Sequence, residues 1–409
     1  MGRHGTPVPE RPVSTPIACI EDLRRLAQRR VPRAIFEYVD RGSYDEVTLR
    51  ANRRDLEAIA LRQRVAVDVE HRSTATTLVG EPATMPVAIA PTGLTGLNWG
   101  NGEMLAARAA QRFGVPFTLS TMSICSIEDV AAFVDQPFWF QLYVMRDRGF
   151  AASLIERARA ANCSALVLTL DLQVQGQRHR DLKNGLAVPP RLTLANALDV
   201  ASKPAWALRV LAGKRKSFGN LDGYVKGADT LATLSQWIAG QFDPTLSWAD
   251  VEWVRKLWAG KLILKGILDV EDARIAASTG CDAIVVSNHG GRQLDGAISS
   301  IRALPEIVQA VGDRTEVLFD GGVRSGQDVL KAVALGARGC LIGRAFLYGL
   351  GAMGEAGVTT ALELIRRELD VSMALSGTRD VREASPALLR LPDGWRPLPP
   401  GTPALRQAA

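Results

Sequence analysis

Eight short, nearly continuous apolar runs, each followed by an amphipathic stretch, constrain this chain more than any other feature. The runs are PVAIAP (86–91), PFTLS (116–120), FWFQLY (138–143), ALVLTLD (165–171), KLILKG (261–266), AIVVSN (283–288), EVLFDGG (316–322) and GCLIGR (339–344). They are rich in β-branched residues and too short for helices, which marks strands buried on both faces. Between them lie patterns of helical period such as GEMLAARAAQRFG, SIEDVAAF, AASLIERARAANC, VEDARIAASTG and GQDVLKAVALGA. Several open on Ser, Asp or Gly and close on Gly or Asn, as capped helices do. This alternation predicts an α/β fold, a (β/α)8 TIM barrel beginning near residue 85. The competitor is a doubly wound open sheet, but the first strand is followed by PTGLTGL rather than by a Gly-x-Gly-x-x-Gly turn.

The flanks are read from composition and period. Residues 1–16 are rich in Pro, Gly and Arg and are expected to form a disordered tail. Residues 20–61 carry three helical patterns, with Pro32 opening the second, and predict an N-terminal helical cap. One domain over 17–385 and a C-terminal tail over 386–409 complete the division. The interval between the fourth and fifth runs is abnormally long and predicts an insertion over about 180–258. It holds Arg191, Lys203, Arg209, Lys214, Arg215 and Lys216 against Asp199, with Trp206, Trp237, Trp248, Trp253 and Trp258 in it or just after. Nucleic acid, a membrane surface, an acidic partner or plain solvation would each suit such a patch.

The chain as a whole carries a net charge of only +6, and 47% apolar with 22% charged residues describes a globular protein rather than a disordered one. No apolar run reaches the length of a membrane-spanning helix. The first sixteen residues lack the apolar core of a secretory signal. Cys19, Cys125, Cys163, Cys281 and Cys340 are scattered and never paired as Cys-x-x-Cys, which predicts a reduced, cytoplasmic chain without a metal–thiolate site.

Polar residues gather where the strands end: Pro91-Thr92-Gly93, Ser120, Gln141 with Tyr143, Thr169 with Asp171, Lys265, Ser287-Asn288-His289, Asp320-Gly321-Gly322 and Gly343-Arg344. A lone Ser or Thr there is ordinarily a satisfied core residue. Eight ends in phase point instead to a site, because each unpaired buried polar group is costly. After the last two strands, DGGVRSG and GCLIGRAF supply glycines, Arg324 and Arg344 before helix starts, which suits a phosphorylated ligand. A phosphosugar isomerase or synthase and a flavin enzyme are both open at this point. Of the four histidines, His4, His71 and His179 read as solvated or surface residues. His289 follows the sixth strand directly beside two glycines and can serve as a base.

At SNHGGRQLD the chain resembles the FMN-dependent 2-hydroxy-acid oxidase/dehydrogenase family. The likeness continues through IAPTGL, LSTMSICSIEDVA, WFQLYVMRDR, LTLD…GQRHRDLKNG, LILKGI, FDGGVRSG and GARGCLIGRAFLYG, over about residues 20–385. The whole pattern leans toward quinone-linked L-lactate dehydrogenases, and the TGL and GQRHRDLKN segments toward mandelate dehydrogenase. The resemblance implies FMN as cofactor and His289 as the base, with Asp171 orienting it. It implies Arg178 and Arg292 gripping a substrate carboxylate, Tyr38 and Tyr143 hydrogen-bonding substrate, and Lys265 beside the flavin. Pro91, Thr92, Gly93, Ser120, Gln141, Thr169 and Ser287 would contact flavin. Asp320, Gly321, Gly322, Arg324, Gly343 and Arg344 would cradle the ribityl chain and phosphate.

Met122 stands at a variable position beside the substrate side chain and neither admits nor excludes a phenyl ring. Gly93, where oxidases carry Ala, implies a dehydrogenase with poor oxygen reactivity. The short stretch before the first strand is expected to leave no N-terminal haem domain, and no nucleic-acid partner is expected; the resemblance implies a homo-oligomer such as a homotetramer and quinone or another acceptor. It implies peripheral attachment to the cytoplasmic face of the membrane through 191–240, against the alternative of a floppy lid. Two other classes compete. One is a maturation enzyme acting on a peptide, which the two arginines disfavour. The other is a non-catalytic scaffold, which the full His/Asp/Arg/Arg/Tyr/Tyr set disfavours.

Overall fold

The computed structural model describes residues 16–186, 193–224 and 231–395. The expected N-terminal tail, apart from Pro16, lies outside these residues, as does Arg191 of the basic cluster. Each of the eight apolar runs forms a strand: β1 Val87–Ile89, β2 Thr118–Ser120, β3 Trp139–Leu142, β4 Ala165–Thr169, β5 Lys261–Ile267, β6 Ala283–Val286, β7 Glu316–Asp320 and β8 Gly339–Ile342. Neighbours pair in parallel from β2 through β8 and on to β1. A bridge between Ile89 and Phe117, with the Ile89 N–H donating to the Pro116 carbonyl at 2.8 Å, closes the ring between β1 and β2. The fold is a (β/α)8 barrel.

Period two sorts the strand side chains. Val87, Ile89, Leu166, Leu168, Leu262, Leu264, Phe319 and Ile342 face outward into the helix layer. Ala88, Trp139, Val167, Ile263, Val285, Leu318 and Leu341 form a second cluster inside the ring. Full burial of a Leu, Ile or Val contributes about 1.5–3 kcal/mol, well above what helix propensities add, so this double-sided pattern fixes the architecture. Capping fixes where several helices begin. The side chains of Ser126, Asp147 and Ser325 accept from the backbone N–H groups of Asp129, Phe150 and Asp328.

The helices Ile20–Arg30, Arg33–Asp40 and Val47–Ala58 form the expected cap. Residues 386–390 depart from expectation. They form a 3-10 turn and a strand, Leu389–Arg390, that pairs antiparallel with Ala60–Leu61, so the segment is stitched to the fold rather than a tail.

The fourth connection is also redrawn. Helix Trp248–Leu257 buries Val251 and Val254 against the barrel and leads into β5, so it is the fourth barrel helix rather than inserted chain. The inserted elements are the helices His179–Lys183, Leu194–Ala201, Pro204–Ala212 and Leu231–Gln241. The tryptophans in it or just after are buried or half-buried. Trp258 is buried, Trp206 donates its indole N–H to the Leu97 carbonyl at 2.9 Å, and Trp237 stacks edge-on against Phe150. Leu182, Leu194, Leu198, Leu208, Leu211 and Tyr224 are exposed there. Much of the basic cluster is committed: Arg215 pairs with Asp129 and Asp222, Lys214 with Asp129, and Lys203 donates to the Arg29 carbonyl.

Candidate active site

The inward period of the strands decides which polar residues converge. Two residues beyond Val167, Ile263, Val285 and Leu318, the same face presents Thr169, Lys265, Ser287 and Asp320 at the C-terminal rim. There a single cavity opens. Pro91, Thr92 and Gly93 wall it after β1, Ser120 and Met122 after β2, and Tyr143 after β3. Thr169, Lys265 and His289 line its floor and one side, with Tyr38, Arg178 and Arg292 above them. Asp320, Gly321, Gly322 and Arg324, then Gly343 and Arg344, complete it.

Three more of the expected residues stand just behind the lining, and Gln141 Nε2 and Asp171 Oδ2 there have no protein partner. Asp171 holds the imidazole. Gln141 accepts from the Ser120 hydroxyl at 3.0 Å. The Ser287 hydroxyl accepts from Lys265 Nζ at 2.9 Å and from the His289 N–H at 3.0 Å, which ties those two residues together.

His289 occupies a left-handed backbone position, φ +57°. Its Nδ1 lies 2.9 Å from Asp171 Oδ1. A carboxylate only accepts, so Nδ1 carries the hydrogen and Nε2 is the ring nitrogen left for a ligand. Burial penalises the Asp171 carboxylate, but the imidazole charge, the hydrogen bond to it and Lys265 outweigh that and hold its pKa below the usual range. A break in register at Lys265/Ile267 of β5 makes this approach feasible. Gly266 there has φ +100°, and a Cβ on it would fall 2.7 Å from the Asp171 side chain.

Lys265 is anchored by Asp320 Oδ2 at 2.9 Å. Burial works against its charge, yet Asp320 and Asp171 raise its pKa above the ordinary lysine value. Burial first, then Asp171, push the Tyr143 phenol up, so it stays a hydrogen-bond donor.

Two guanidinium groups flank one ring. Arg178 and Arg292 lie 5.6 and 4.8 Å from the Tyr38 ring centroid. Arg292 donates to the Tyr38 and Arg41 carbonyls, and Arg344 to those of Val39, Arg41 and Gly290, capping the end of helix Arg33–Asp40. Neither forms an ion pair with a carboxylate among the described residues. Burial, then the like charge of Arg178, bring Arg292 down to about 10. Burial, then Arg292 and Arg324, bring Arg344 down to about 9. Both are cations at neutral pH that an incoming anion would relieve.

Several buried polar atoms around the cavity have no protein partner: Gln141 Nε2, Thr169 Oγ1, Asp171 Oδ2, Arg178 Nε and Asp320 Oδ1. Native interiors rarely leave such groups unmatched. A mixed donor and acceptor rim, with cations at its upper edge and glycine-flanked helix starts at one end, fits a flat heteroaromatic group carrying a phosphate. It fits FMN.

The remaining wall escaped the sequence reading. Leu172, Leu186, Phe218, Ile238 and Phe242 roof the cavity beside Met122, and most come from the insertion. Their signal is weak, because apolar residues scattered through a long connection carry no period.

The comparisons with known proteins agree with this geometry. The sequence model of a family described as FMN-dependent dehydrogenase matches residues 27–391. An L-lactate dehydrogenase of Caulobacter vibrioides is 50% identical over 374 residues, covering 91% of this chain and 97% of that protein. An L-lactate dehydrogenase of Pseudomonas aeruginosa is 50% identical over 373 residues, covering 90% and 97%. Among solved structures, a monotopic membrane protein, (S)-mandelate dehydrogenase, superposes with a TM-score of 0.88 at 38% identity, covering 92% of this chain and all of that one.

Proposed function

The chain belongs to the FMN-dependent dehydrogenase family, and from that premise we propose that it oxidises a small L-2-hydroxy acid to the 2-oxo acid, L-lactate first, with quinone as electron acceptor. One observation carries the reading: a His–Asp pair and the guanidinium groups of Arg178 and Arg292 face a single cavity, and Arg292 has no carboxylate partner among the described residues. A base beside a carboxylate grip is what oxidation of a carbon next to a carboxylate requires. When bound, FMN supplies the acceptor for the two electrons.

The chain's own residues do the rest. Arg178 and Arg292 bind the carboxylate and set which bond of the 2-carbon faces the cavity floor. Tyr38 and Tyr143 hydrogen-bond the acid end and the hydroxyl. His289 Nε2 takes a proton, and the imidazolium that forms is stabilised through Nδ1–H by Asp171, whose carboxylate is already held ionised. Lys265, charged and anchored, places a fixed positive charge on the floor where a reduced ring system needs one. Thr92, Ser120, Gln141 and Thr169 hold the ring system. Asp320, Gly322, Arg324, Gly343 and Arg344 hold its phosphate arm.

The test is anaerobic mixing of the yellow holoprotein with lactate, glycolate, mandelate and longer acids. L-Lactate is expected to bleach the flavin fastest. A coloured protein bleached by no 2-hydroxy acid would overturn the reading. The apolar roof of Leu172, Phe218, Ile238 and Phe242 supports a second reading, (S)-mandelate, because it is broader than a methyl group needs. Faster bleaching by mandelate than by lactate would select it.

The reading extends to location. Leu194 and Leu198 are one helical turn apart, as are Leu208 and Leu211, and all four are exposed by 60–78%. The same segment carries Lys203, Lys214 and Lys216, whose amines are held by the Arg29 carbonyl, by Asp129 and by carbonyls at the end of helix Pro204–Ala212. We propose that this face lies in a lipid interface, as a peripheral attachment on the cytoplasmic side, close to a quinone pool. No helix among the described residues is long and apolar enough to cross a membrane. Replacing all four leucines by serine should remove at least nine-tenths of the protein from anionic phospholipid vesicles in flotation, while leaving turnover with a soluble dye acceptor within twofold. Unchanged flotation would end the proposal.

A further inference from the structure

Asn52 sits inside helix Val47–Ala58, only 1% exposed, where an asparagine is a poor helix former and a buried amide needs partners. It finds them across the molecule. Its Nδ2 donates to Asn288 Oδ1 at 2.8 Å, and Asn288 Nδ2 donates back to Asn52 Oδ1 at 2.7 Å. The same Asn52 oxygen accepts the Ser300 N–H at 3.2 Å. Asn288 in turn accepts the Gly291 N–H at 3.1 Å and donates to the Ile298 carbonyl at 3.2 Å, and its own N–H goes to the Ser300 hydroxyl.

These bonds enclose the turn that carries His289. Histidine enters the left-handed region more readily than most residues but still rarely, and here it is held at φ +57°. Helix Val47–Ala58 presses on the same turn, since a Cβ on Gly291 would fall 2.6 Å from the Leu49 backbone nitrogen. It presses also on the next rim turn, since a Cβ on Gly322 would fall 2.7 Å from the Asn52 carbonyl oxygen. A strained conformation persists only where its surroundings over-determine it, and here the surroundings are two carboxamides and one helix.

We propose that Asn52 is a positioning residue for His289: its carboxamide, closed in a reciprocal pair with Asn288, holds the turn that aims the imidazole at the cavity. Asn52 does not line the cavity. It acts by keeping His289 Nδ1 on Asp171 and Nε2 toward substrate. The inference rests on His289 being the base of the proposed reaction. A misplacement of that base on the order of 1 Å is enough for about 100-fold in rate.

The test uses holoenzyme. Asn52→Ala is expected to keep FMN and to lower kcat about 10- to 100-fold, with KM for the 2-hydroxy acid within twofold. Asn288→Ala should do the same. The double variant should lose no more than the larger single loss, because the pair acts as one unit. Asn52→Asp keeps the accepting oxygen but cannot return the hydrogen bond, and it should fall between wild type and Asn52→Ala. Where Asn52→Ala does not retain FMN, the same criteria apply to Asn52→Asp, which has the same shape. An FMN-loaded variant with kcat within threefold of wild type overturns the proposal. So does a rise in KM that matches the fall in kcat, or additive losses in the double variant. Wild-type protein bleached by no 2-hydroxy acid would instead overturn the functional reading beneath it.

Discussion

His289→Gln is expected to lower the rate of flavin bleaching by an L-2-hydroxy acid on the order of 10⁴-fold, with FMN still bound. Glutamine keeps a polar group of similar length but cannot take up a proton. It also strands the Asp171 carboxylate, which is held ionised by the imidazole charge and its hydrogen bond as well as by Lys265. Removal of the base and loss of the partner that Asp171 would stabilise as the imidazolium therefore act in the same direction. FMN should be retained, because the ring contacts proposed for Thr92, Ser120, Gln141 and Thr169 lie on other strands, and the anchor between Lys265 and Asp320 is untouched. Anaerobic stopped-flow absorbance measures the rate, and the flavin-to-protein ratio measures retention. A variant within tenfold of wild type would remove His289 from the chemistry.

Arg292→Met is expected to lower kcat/KM about 10³-fold, equivalent to about 4 kcal/mol, and to act mainly through KM. Methionine fills a similar volume without charge. Two consequences separate. The substrate carboxylate loses its strongest buried counter-charge, and the Tyr38 and Arg41 carbonyls lose their donor. The second effect costs about 1–3 kcal/mol of stability and appears in thermal unfolding, whereas the first appears only in substrate titrations of flavin bleaching. Arg292→Lys should restore stability better than affinity, since an ammonium lacks the planar fork. Unchanged KM in Arg292→Met would show that the carboxylate is held elsewhere.

The catalytic rim was legible in the sequence because strand geometry is periodic. Once β4 and β5 are placed, Thr169 and Lys265 must share the inward face of Val167 and Ile263, and the same spacing delivers Ser287 and Asp320. The SNHGG segment announced its turn through its glycines, although nothing local revealed that Asn288 is paired with a residue 236 positions earlier. The insertion was misread because residue type alone does not decide exposure. Its tryptophans find aromatic and carbonyl partners on the barrel, and leucines are left outside. Helix Ser300–Val311 tolerates Pro305 in its interior, where burial of Ile301, Leu304, Ile307 and Val311 offsets the missing N–H. The strand at Leu389–Arg390 is too short to signal itself and depends on a partner more than 300 residues away.

The cavity is assembled from two kinds of chain. Its charged and proton-handling groups stand on the closed ring of strands, as Lys265 and Asp320 do, or on the turns and helix ends at its rim, while its oily ceiling is contributed mostly by the long excursion between Thr169 and Trp248, which also carries Asp171 and Arg178. Mutations at Leu186, Phe218, Ile238 or Phe242 can reshape the ceiling of the cavity without replacing the imidazole, its carboxylate partner or the guanidinium groups. Natural selection can therefore retune which acids such a protein accepts while inheriting its chemistry intact, and the same excursion leaves room to alter where in the cell the oxidation takes place.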